Sequence, residues 1–441
     1  MTQPRIAIVG DSFAALAMTR LLKEYLPTAS LTRFLGTSSS DGEFNAGNFR
    51  NSRVGREALN LAKLCRIPDQ SIFFADIKNS GRVLIPCRSG LRIFPRFSDA
   101  VTLAAPFALE PVLPKKKCRS DESLKDFVDR RICWSRGLAG PAAAAIAASA
   151  PEEVSAACAA PRLWAAERNG RSVLLSPFFD FASSVTARRP SAVLSGLAQR
   201  ALSGGRFFTV AGGIEGFKSA LRSATGQTAI DGSPNYDDFD FVIPCDRESL
   251  ISLEPETARF SKLFKNEVIH SVKLEFSKKS RKMASAGFWL SQPSEIIGGR
   301  FDSSLFPNLF DDKMIMTVFV RGDDPAQVAQ NFASDTFNFK TEIVDVTSEN
   351  VYKLPVGSSD ELRALNEWRV KHRPKLHVAG CGFYAHSLTD QIADCRNLTE
   401  IIKSRLTHFP LIENEMISDW SNRSGFALAQ ESHILRSSVV V

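Results

Sequence analysis

The stretch Arg5-Ile6-Ala7-Ile8-Val9, followed by Gly10, determines the fold predicted for the amino-terminal part of the chain. Its β-branched, apolar residues predict a short strand that ends at the glycine. Apolar side chains then recur at helical spacing and predict a helix that stops before Pro27; they are Leu16, Met18, Leu21, Leu22 and Tyr25. A second strand is predicted from Ser30 to Phe34. Strand, glycine turn, helix and strand within about 30 residues form a βαβ unit, the entry to a dinucleotide-binding sheet.

The turn of this unit carries an altered form of the dinucleotide fingerprint G-x-G-x-x-G/A. Gly10 and Ala15 occupy its first and last positions and suit the tight turn and the close packing of helix on strand. Ser12 replaces the second glycine, so its Cβ should crowd the approach of a pyrophosphate. Asp11 adds negative charge there, and Leu35, about 20 residues further on where a carboxylate is expected, cannot accept a hydrogen bond. A βαβ unit that no longer binds a dinucleotide therefore stays open as an alternative.

Composition places the chain among ordinary globular proteins. Of its 441 residues, 23% are charged and 44% are hydrophobic, which excludes collagen-like, coiled-coil and wholly disordered chains. The length predicts about two or three domains. No apolar run approaches the roughly 18–20 residues that cross a bilayer, so no transmembrane helix is predicted.

The charge balance is basic, with 55 Lys and Arg against 48 Asp and Glu and a net charge of +7. This balance suits an anionic ligand, an anionic membrane surface or nucleic acid and selects none of them. Basic residues cluster only at Lys115 to Lys117 and at Lys278 to Lys282, where solvated loops are expected. Because the sequence contains no nucleic-acid-binding module, no specific nucleic acid binding is predicted.

The cysteines and histidines are dispersed rather than paired. The six histidines form no HExxH or similar motif, so no metal site is predicted. Free thiols in a reducing compartment are predicted for the eight cysteines, which are Cys65, Cys87, Cys118, Cys133, Cys158, Cys245, Cys381 and Cys395. The strand predicted at residues 5–9 leaves no room for the apolar core of a signal peptide.

Further segments carry motifs in a fixed order along the chain. They are Phe44 to Asn48, Asp121 to Val128, Ala160 to Arg168, Phe207 to Leu221 with Gly212-Gly213, Phe301 to Pro307, and Leu376 to Gly380 with Ser387 to Ile392. In this order they resemble the motifs F-E-x-G-P, D-E-S-x-x-D-F, F-P-x-L-W-x-x-E, L-x-G-G-x-x-x-L, D-S-x-x-F-P, and L-A-G with V-x-x-D-C-I. These motifs belong to the protoporphyrinogen oxidase family, flavoproteins of the amine-oxidase-like superfamily, and the chain is similar to that family over residues 5–400.

The resemblance implies an α/β fold with a Rossmann-like FAD/NAD(P)-binding domain, a mixed-sheet substrate domain and a helical region that contacts a membrane. The implied division is residues 1–75 with 205–255 and 368–405 for the FAD-binding domain, 96–200 for the helical region, 256–367 for the substrate-type domain and 406–441 for a C-terminal extension. The residues themselves predict the third strand of the first domain at Phe239 to Ile243. They also predict substrate-domain strands at Val272 to Phe276 and at Met314 to Val320.

The function that the resemblance implies is FAD-dependent, oxygen-consuming oxidation of protoporphyrinogen IX to protoporphyrin IX in haem biosynthesis. The substrate would be this tetrapyrrole, and the flavin would do the chemistry without a catalytic side chain or a metal. The implied location is peripheral, on the mitochondrial inner membrane, or in the bacterial cytoplasm or on its cytoplasmic membrane. The residues implied to contact the cofactor are Gly10, Ser12, Ala15, Gly42, Gly47, Gly380, Leu388 and Asp390. Asp390 is also expected to cap the closing helix.

Several positions depart from the family pattern at contacts to cofactor or substrate. The family's G-G-R becomes Asp41-Gly42-Glu43, so an acid replaces an arginine near the phosphates and opposes binding there. The arginine that grips a substrate carboxylate has no counterpart before Arg82, where the chain has Phe73-Phe74-Ala75. With Ser12 and Leu35, these changes put FAD binding in question. The alternative is a catalytically decayed pseudoenzyme that serves as a structural or assembly subunit of a larger complex.

The remaining features have expected structural roles, with functional alternatives. The tail beyond Ile402 contains Trp420 and Phe426 and is expected to form a strap on the protein's own surface; docking to a protein partner is the alternative. Asp302 is expected to cap a turn. Trp164 and Phe179 are expected to be core or membrane-contact aromatics, and His386 is a minor alternative as a catalytic base.

A double substitution tests the altered fingerprint. Ser12→Gly combined with Leu35→Glu should raise FAD affinity about tenfold or more, because a hydrogen bond to a charged acceptor contributes roughly 1.5–3 kcal/mol. FAD titration of both proteins measures the gain, and Ser12→Gly with Leu35→Met, which adds no acceptor, is the control. Unchanged affinity in the first variant would mean that Gly10 to Ala15 is not the fingerprint.

Overall fold

Helices and strands alternate along the chain in a computed structural model. The structure describes residues 3–36, 49–50, 55–80, 82–87, 90–94, 121–131, 139–160, 163–164, 167, 205, 207–226, 228–276, 285–290, 295–310, 313–380 and 387–407. The strands are β1 (Arg5–Val9), β2 (Ser30–Phe34), β3 (Phe49–Arg50), β4 (Ile72–Phe74), β5 (Val83–Cys87), β6 (Gly90–Phe94), β7 (Phe207–Val210), β8 (Phe241–Pro244), β9 (Asn266–Phe276), β10 (Gly287–Trp289), β11 (Ile296–Arg300), β12 (Met314–Val320) and β13 (Thr341–Tyr352). The α-helices are α1 (Phe13–Tyr25), α2 (Gly55–Leu64), α3 (Ile77–Ser80), α4 (Leu124–Arg131), α5 (Ala139–Ala147), α6 (Ala156–Ala159), α7 (Gly213–Thr225), α8 (Arg247–Leu253), α9 (Asp302–Leu305), α10 (Pro325–Phe337), α11 (Ser358–His372) and α12 (Leu388–Thr407).

A parallel sheet in the order β2-β1-β8 contains the predicted βαβ unit. β1 pairs with β2 on one side and with β8 on the other, both in parallel register. The predicted third strand is confirmed, although it begins at Phe241 rather than at Phe239. Single bridges extend the sheet to Ile230 beyond β2 and to Leu376 beyond β8. The closing segment that was predicted near Leu376 therefore runs alongside β8.

Helices cover both faces of this parallel sheet, which explains why β1 is apolar throughout. Ile6 and Ile8 belong to a buried cluster that includes residues of α1, α7 and α12. Ala7 and Val9 point the other way, into a cluster that includes residues of α8 and α11. A strand buried on both sides reads as a continuous hydrophobic run rather than an alternating one.

Four phenylalanines join the start of α1 to a small antiparallel sheet of order β3-β7-β4. Phe13 lies 5.9 Å from Phe49 and 5.4 Å from Phe217, measured between ring centroids. Phe49 stacks on Phe208 at 5.2 Å and lies at the same distance from Phe217. All four side chains are fully buried. This aromatic cluster therefore fixes α1 and α7 relative to the small sheet.

The larger sheet has the order β13-β9-β12-β11-β10-β5-β6. Its pairs are antiparallel except β10 with β5, which are parallel, so the predicted mixed sheet is confirmed. The predicted strands at Val272 to Phe276 and Met314 to Val320 lie in β9 and β12, which pair with each other. The sequence pattern did not predict that β5 and β6, from a distant part of the chain, complete this sheet.

Asp302 does not cap a turn, so the expectation stated for it is wrong. Its carboxylate is buried, forms an ion pair with Arg300 and accepts a hydrogen bond of 2.6 Å from the Thr317 hydroxyl. A buried carboxylate needs such partners because burial of an unpaired charge is costly.

The region predicted to be helical contains α4, α5 and α6 within its described residues. Trp164 is buried and packs on Phe127 at 5.9 Å, which places it in a core, whereas Phe179 lies outside the described residues. None of the helices in the ranges given above combines the length and apolarity needed to cross a bilayer. Contact with a membrane surface remains a prediction for this region. Lys115 to Lys117 and the tail from residue 408 also lie outside the described residues.

Truncation of one ring tests the aromatic cluster. Phe217→Ala should lower the free energy of unfolding by about 3–5 kcal/mol, because the lost ring leaves a cavity beside Phe13 and Phe49. Chemical denaturation measures the change, and Phe217→Leu, which retains more apolar volume, should lose clearly less. A loss below about 1 kcal/mol for Phe217→Ala would contradict the arrangement.

Candidate functional site

The turn between β1 and α1 is held against the ends of β2 and β8. The Gly10 amide donates a hydrogen bond of 3.1 Å to the Phe34 carbonyl. Gly10 has φ of +132°, and a Cβ at this position would lie 2.6 Å from Oδ2 of Asp246, in the loop after β8. Glycine is therefore required here both by the backbone conformation and by the space.

Ser12 caps α1 and is fully buried. Its hydroxyl accepts a hydrogen bond of 3.4 Å from the Ala15 amide and donates one of 3.3 Å to the Cys245 carbonyl. The hydroxyl thus joins the helix start to the loop after β8. The first turn of α1 contains no acidic residue, so its amino-terminal end keeps the partial positive charge that favours an anion.

Two further glycines complete the contact between chain segments. A Cβ at Gly36, just after β2, would lie 2.8 Å from the Cα of Gly10. Gly380 has φ of +87°, and a Cβ there would lie 2.7 Å from the Cys245 carbonyl oxygen. All these residues follow parallel strands, and ligands of open α/β sheets bind outside the carboxyl ends of such strands. The candidate site is therefore this edge of the sheet, where Gly10, Ser12, Ala15 and Gly380 come together.

Asp394 of α12 holds the closing segment at this edge. Its Oδ2 accepts a hydrogen bond of 3.0 Å from the Gly380 amide. The pKa of Asp394 is raised to about 7, because burial and, to a lesser extent, the nearby Asp390 outweigh the lowering by the hydrogen bond from Gly380. The next residue, Cys395, places its thiol 3.6 Å from the Ala14 carbonyl oxygen, so α12 contacts the start of α1 here.

Ser387, and not Asp390, caps α12, so the expectation that Asp390 is the cap is wrong. The Asp390 amide donates a hydrogen bond of 3.2 Å to the Ser387 hydroxyl, which in turn donates one of 2.6 Å to the Asp390 carboxylate. This pair satisfies the helix start as a serine cap with an acid three residues later. Leu388 is fully buried in the core with α1.

Asp11 is not an isolated negative charge beside the turn, as the sequence suggested. Its two carboxylate oxygens lie 3.4 Å from Nη1 of Arg33 and 3.4 Å from Nη2 of Arg222. Burial lowers the pKa of Arg33, Asp11 raises it and Arg222 lowers it. Leu35, just past β2, is 41% exposed and offers no hydrogen-bonding side chain.

The residues at this edge fit FAD at one end. Gly10, the start of α1 and Gly380 provide the tight turn, the positive helix end and the close backbone packing that a pyrophosphate site needs. At the ribose end the residues do not fit, because Leu35 replaces the acid that would bind the ribose hydroxyls. Asp246, fully buried beside Gly10, adds a second acid close to the turn.

Several residues of the site were not predicted, whereas others that were predicted cannot be placed. Gly42, Glu43, Gly47 and His386 lie outside the described residues. The unpredicted members are Gly36, Asp246, Asp394, Arg33 and Arg222. The first two directly follow parallel strands, so the rule that ligands bind at strand ends could have identified them. The others depend on packing between distant segments and have no local signal.

The other buried titratable groups, a histidine and the cysteines, are held by packing and by neighbouring charges. His377, on the closing segment, lies 3.1 Å from Arg405, and burial together with Arg369 and Arg405 lowers its pKa well below the usual range. The cysteines among the described residues are free thiols, and burial raises the pKa of Cys245 and Cys395. Within the described ranges, no group of three or more His, Cys, Asp or Glu side chains could hold a metal ion.

Comparison with known proteins identifies the fold. No protein-family model matches the chain, and no curated protein matches it in sequence. Among solved structures, a proposed protoporphyrinogen oxidase from Exiguobacterium sp. 255-15 is 15% identical with a TM-score of 0.62, over 92% of this chain and 100% of the other. A reduced UDP-galactopyranose mutase is 9% identical with a TM-score of 0.57, over 96% of this chain and 98% of the other. A triple mutant of putrescine oxidase, redesigned for cofactor binding, is 12% identical with a TM-score of 0.54, over 91% of this chain and 99% of the other.

The chain has the fold of these three proteins. This likeness supports the predicted mixed α/β fold. Identities of 15% or less show the fold alone and select no family within it.

The raised pKa of Asp394 predicts a pH-dependent stability. A folded-state pKa of about 7, against an ordinary value of 3.8, favours folding at low pH, and this stabilisation is lost as pH rises from about 4 to 7. Asp394→Asn keeps an acceptor for Gly380 and removes the titration. The variant should therefore gain roughly 2–3 kcal/mol relative to the wild type between pH 5 and pH 8. Chemical denaturation at both pH values measures it, and Asp345→Asn on the exposed strand β13 is the charge-matched control. Equal pH dependence in all three proteins would contradict the assignment.

Proposed function

We propose that this chain is an FAD-dependent oxidoreductase that oxidises a tetrapyrrole, protoporphyrinogen IX, to protoporphyrin IX in haem biosynthesis. The observation that carries the proposal is the convergence of Gly10, the start of α1 and Gly380 at the carboxyl edge of the parallel sheet. The amine-oxidase-like flavoenzyme fold supports the same conclusion, because FAD lies at this edge in dinucleotide-binding folds of this type.

The chain's own residues bind and orient the cofactor in this proposal. The turn at Gly10 and the amino-terminal end of α1 hold the pyrophosphate, and Ser12 keeps that turn against Cys245. Asp394 fixes the backbone of Gly380, which closes the site on the side of α12. FAD, when bound, accepts hydride equivalents from the substrate and returns them to oxygen.

The choice of substrate rests on the ordered motifs and on charge. The segments from Phe44 to Ile392 resemble those of protoporphyrinogen oxidases, and the structure from Exiguobacterium that matches this fold is proposed to have that activity. A net charge of +7 suits a substrate that carries propionate groups. Overall, six electrons and six protons leave protoporphyrinogen IX and reduce three molecules of oxygen to hydrogen peroxide.

A specific set of residues favours a second candidate, a catalytically decayed protein that serves as a structural or assembly subunit. Ser12 replaces a glycine of the fingerprint, Leu35 removes the ribose-binding acid, and the buried Asp246 lies against Gly10. These changes all affect the cofactor site, whereas the packing of the fold is intact. A subunit of this kind would keep the fold and bind no flavin.

Location and partners belong to the proposal as well. In this proposal the enzyme contacts the mitochondrial inner membrane or the bacterial cytoplasmic membrane peripherally, with residues 96–200 as the contact region. The C-terminal tail would form a strap on the protein or contact a protein partner.

The visible spectrum of the purified protein tests the proposal. A flavoenzyme should show flavin absorption bands, release FAD on denaturation, and consume oxygen while protoporphyrin fluorescence appears from protoporphyrinogen IX. Gly10→Ala should reduce bound FAD at least tenfold, because its Cβ would meet Asp246. Gly322→Ala is the matched control, since Gly322 also has positive φ but open space around it.

Two outcomes separate the candidates. Protein that stays colourless after incubation with FAD and consumes no oxygen with protoporphyrinogen IX would overturn the proposal and favour the structural subunit. A yellow protein that oxidises a different substrate would retain the flavoenzyme and overturn the choice of tetrapyrrole.

A further inference from the structure

One acid lies between two arginines beside the candidate site. Asp11, next to Gly10 in the turn, lies 3.4 Å from Arg33 of β2 and 3.4 Å from Arg222 of α7. These three residues, the Arg33–Asp11–Arg222 cluster, carry a net charge of +1. The cluster therefore brings positive charge to the edge of the sheet at which a dinucleotide would bind.

Arg33 is buried in a manner that leaves hydrogen-bonding capacity unused. Its side chain is 7% exposed, and among the described residues its Nε has no hydrogen-bond partner. In the register of the sheet Arg33 lies opposite Ile8, which faces α1 and α7. From that face its guanidinium extends to Asp11 in the turn, so it is directed at the carboxyl edge of the sheet.

The contacts within the cluster are loose for ion pairs. Charge-assisted hydrogen bonds between nitrogen and a carboxylate usually measure about 2.7–2.9 Å, whereas both contacts of Asp11 measure 3.4 Å. Each guanidinium has five N–H donors, and Asp11 occupies few of them. Burial of a guanidinium whose N–H donors lack acceptors costs free energy, unless a further acceptor binds those donors.

We propose that the Arg33–Asp11–Arg222 cluster binds a phosphate group of a dinucleotide, with Arg33 and Arg222 as the donors. The proposal rests on the proposed function only for the presence of a dinucleotide and assigns the donors within that site. A phosphate there would displace Asp11 from the guanidiniums, because arginine forms bidentate pairs with phosphate. This cluster would supply the positive charge that the family's G-G-R arginine supplies and that Glu43 does not.

Two sources of phosphate share this chemistry. One is the bridging pyrophosphate of FAD. The other is a phosphate on the adenosine ribose, as in NADP, because Leu35 removes the acid that reads ribose hydroxyls and an arginine nearby accommodates a 2′-phosphate. ADP and adenosine 2′-phosphate are separate probes for the two, and adenosine is the uncharged reference.

Calorimetric titration of the full-length protein tests the cluster. Wild-type protein should bind ADP or adenosine 2′-phosphate at least tenfold more tightly than adenosine. Arg222→Met should reduce the affinity for that phosphate at least tenfold and leave adenosine unchanged. Arg363→Met is the matched control, because Arg363 is 43% exposed and paired with an acid, as Arg222 is at 44%. Asp11→Asn should raise the affinity severalfold, since it removes the competing carboxylate.

The probes and variants give distinct results. A dominant response of ADP identifies the pyrophosphate as the source, and a dominant response of adenosine 2′-phosphate identifies a ribose phosphate. No preference for phosphate over adenosine, or unchanged affinities in both Arg222→Met and Asp11→Asn, would overturn the proposal. Arg222 is half-exposed, so its variant should fold even if Arg33→Met does not.

Failure of the proposed function would be seen separately. A protein without flavin or oxidase activity can still bind these nucleotides. In that case the titration still measures how the Arg33–Asp11–Arg222 cluster affects nucleotide affinity. If FAD copurifies with the protein, its release rate replaces the ADP titration, and Arg222→Met should accelerate release at least tenfold. An unchanged release rate would overturn the pyrophosphate source.

Discussion

The close approach of four chain segments around Gly10 is the constraint on which the rest of this structure depends. Gly36 and the loop after β8 both lie against Gly10, and Gly380 closes on the same loop from the other side. These segments come from distant parts of the sequence, and their contact holds β1, β2, β8 and the closing segment in one sheet. A side chain at any of the three glycines would separate strands that must lie side by side.

Local patterns of apolar residues predicted much of the fold, because such a pattern indicates which residues of one segment are buried. The run from Arg5 to Val9 and the run before Pro244 are apolar because helices cover both faces, and both are strands. Pairing between distant segments leaves no such mark. β5 joins the larger sheet where Leu84 pairs in parallel with Phe288, about two hundred residues away. The sequence of residues 83–94 does not indicate which strand is its partner.

The residues of the candidate site likewise divide into those with a local sequence signal and those that depend on packing between distant segments. Gly10, Ser12 and Ala15 could be identified because a turn fingerprint is local, and the structure brings Gly380 to them. The cap of α12 also has a local signal, because a serine followed three residues later by an acid is a known helix start, and this signal indicates Ser387 rather than Asp390. Asp394 could not be identified, because its raised pKa comes from burial that the sequence does not show.

The acids near Gly10 do not by themselves exclude an anionic ligand, because each has a structural role. The Asp246 carboxylate accepts a hydrogen bond of 2.6 Å from the Ser249 amide and caps α8, and Asp11 lies between two arginines. The helix end that faces the turn keeps its own positive charge. Leu35 offers no acceptor for ribose hydroxyls, whereas Arg33 and Arg222 supply positive charge near the turn. A dinucleotide at this edge would therefore be held by contacts to phosphate rather than to sugar, and such contacts weaken as salt concentration rises.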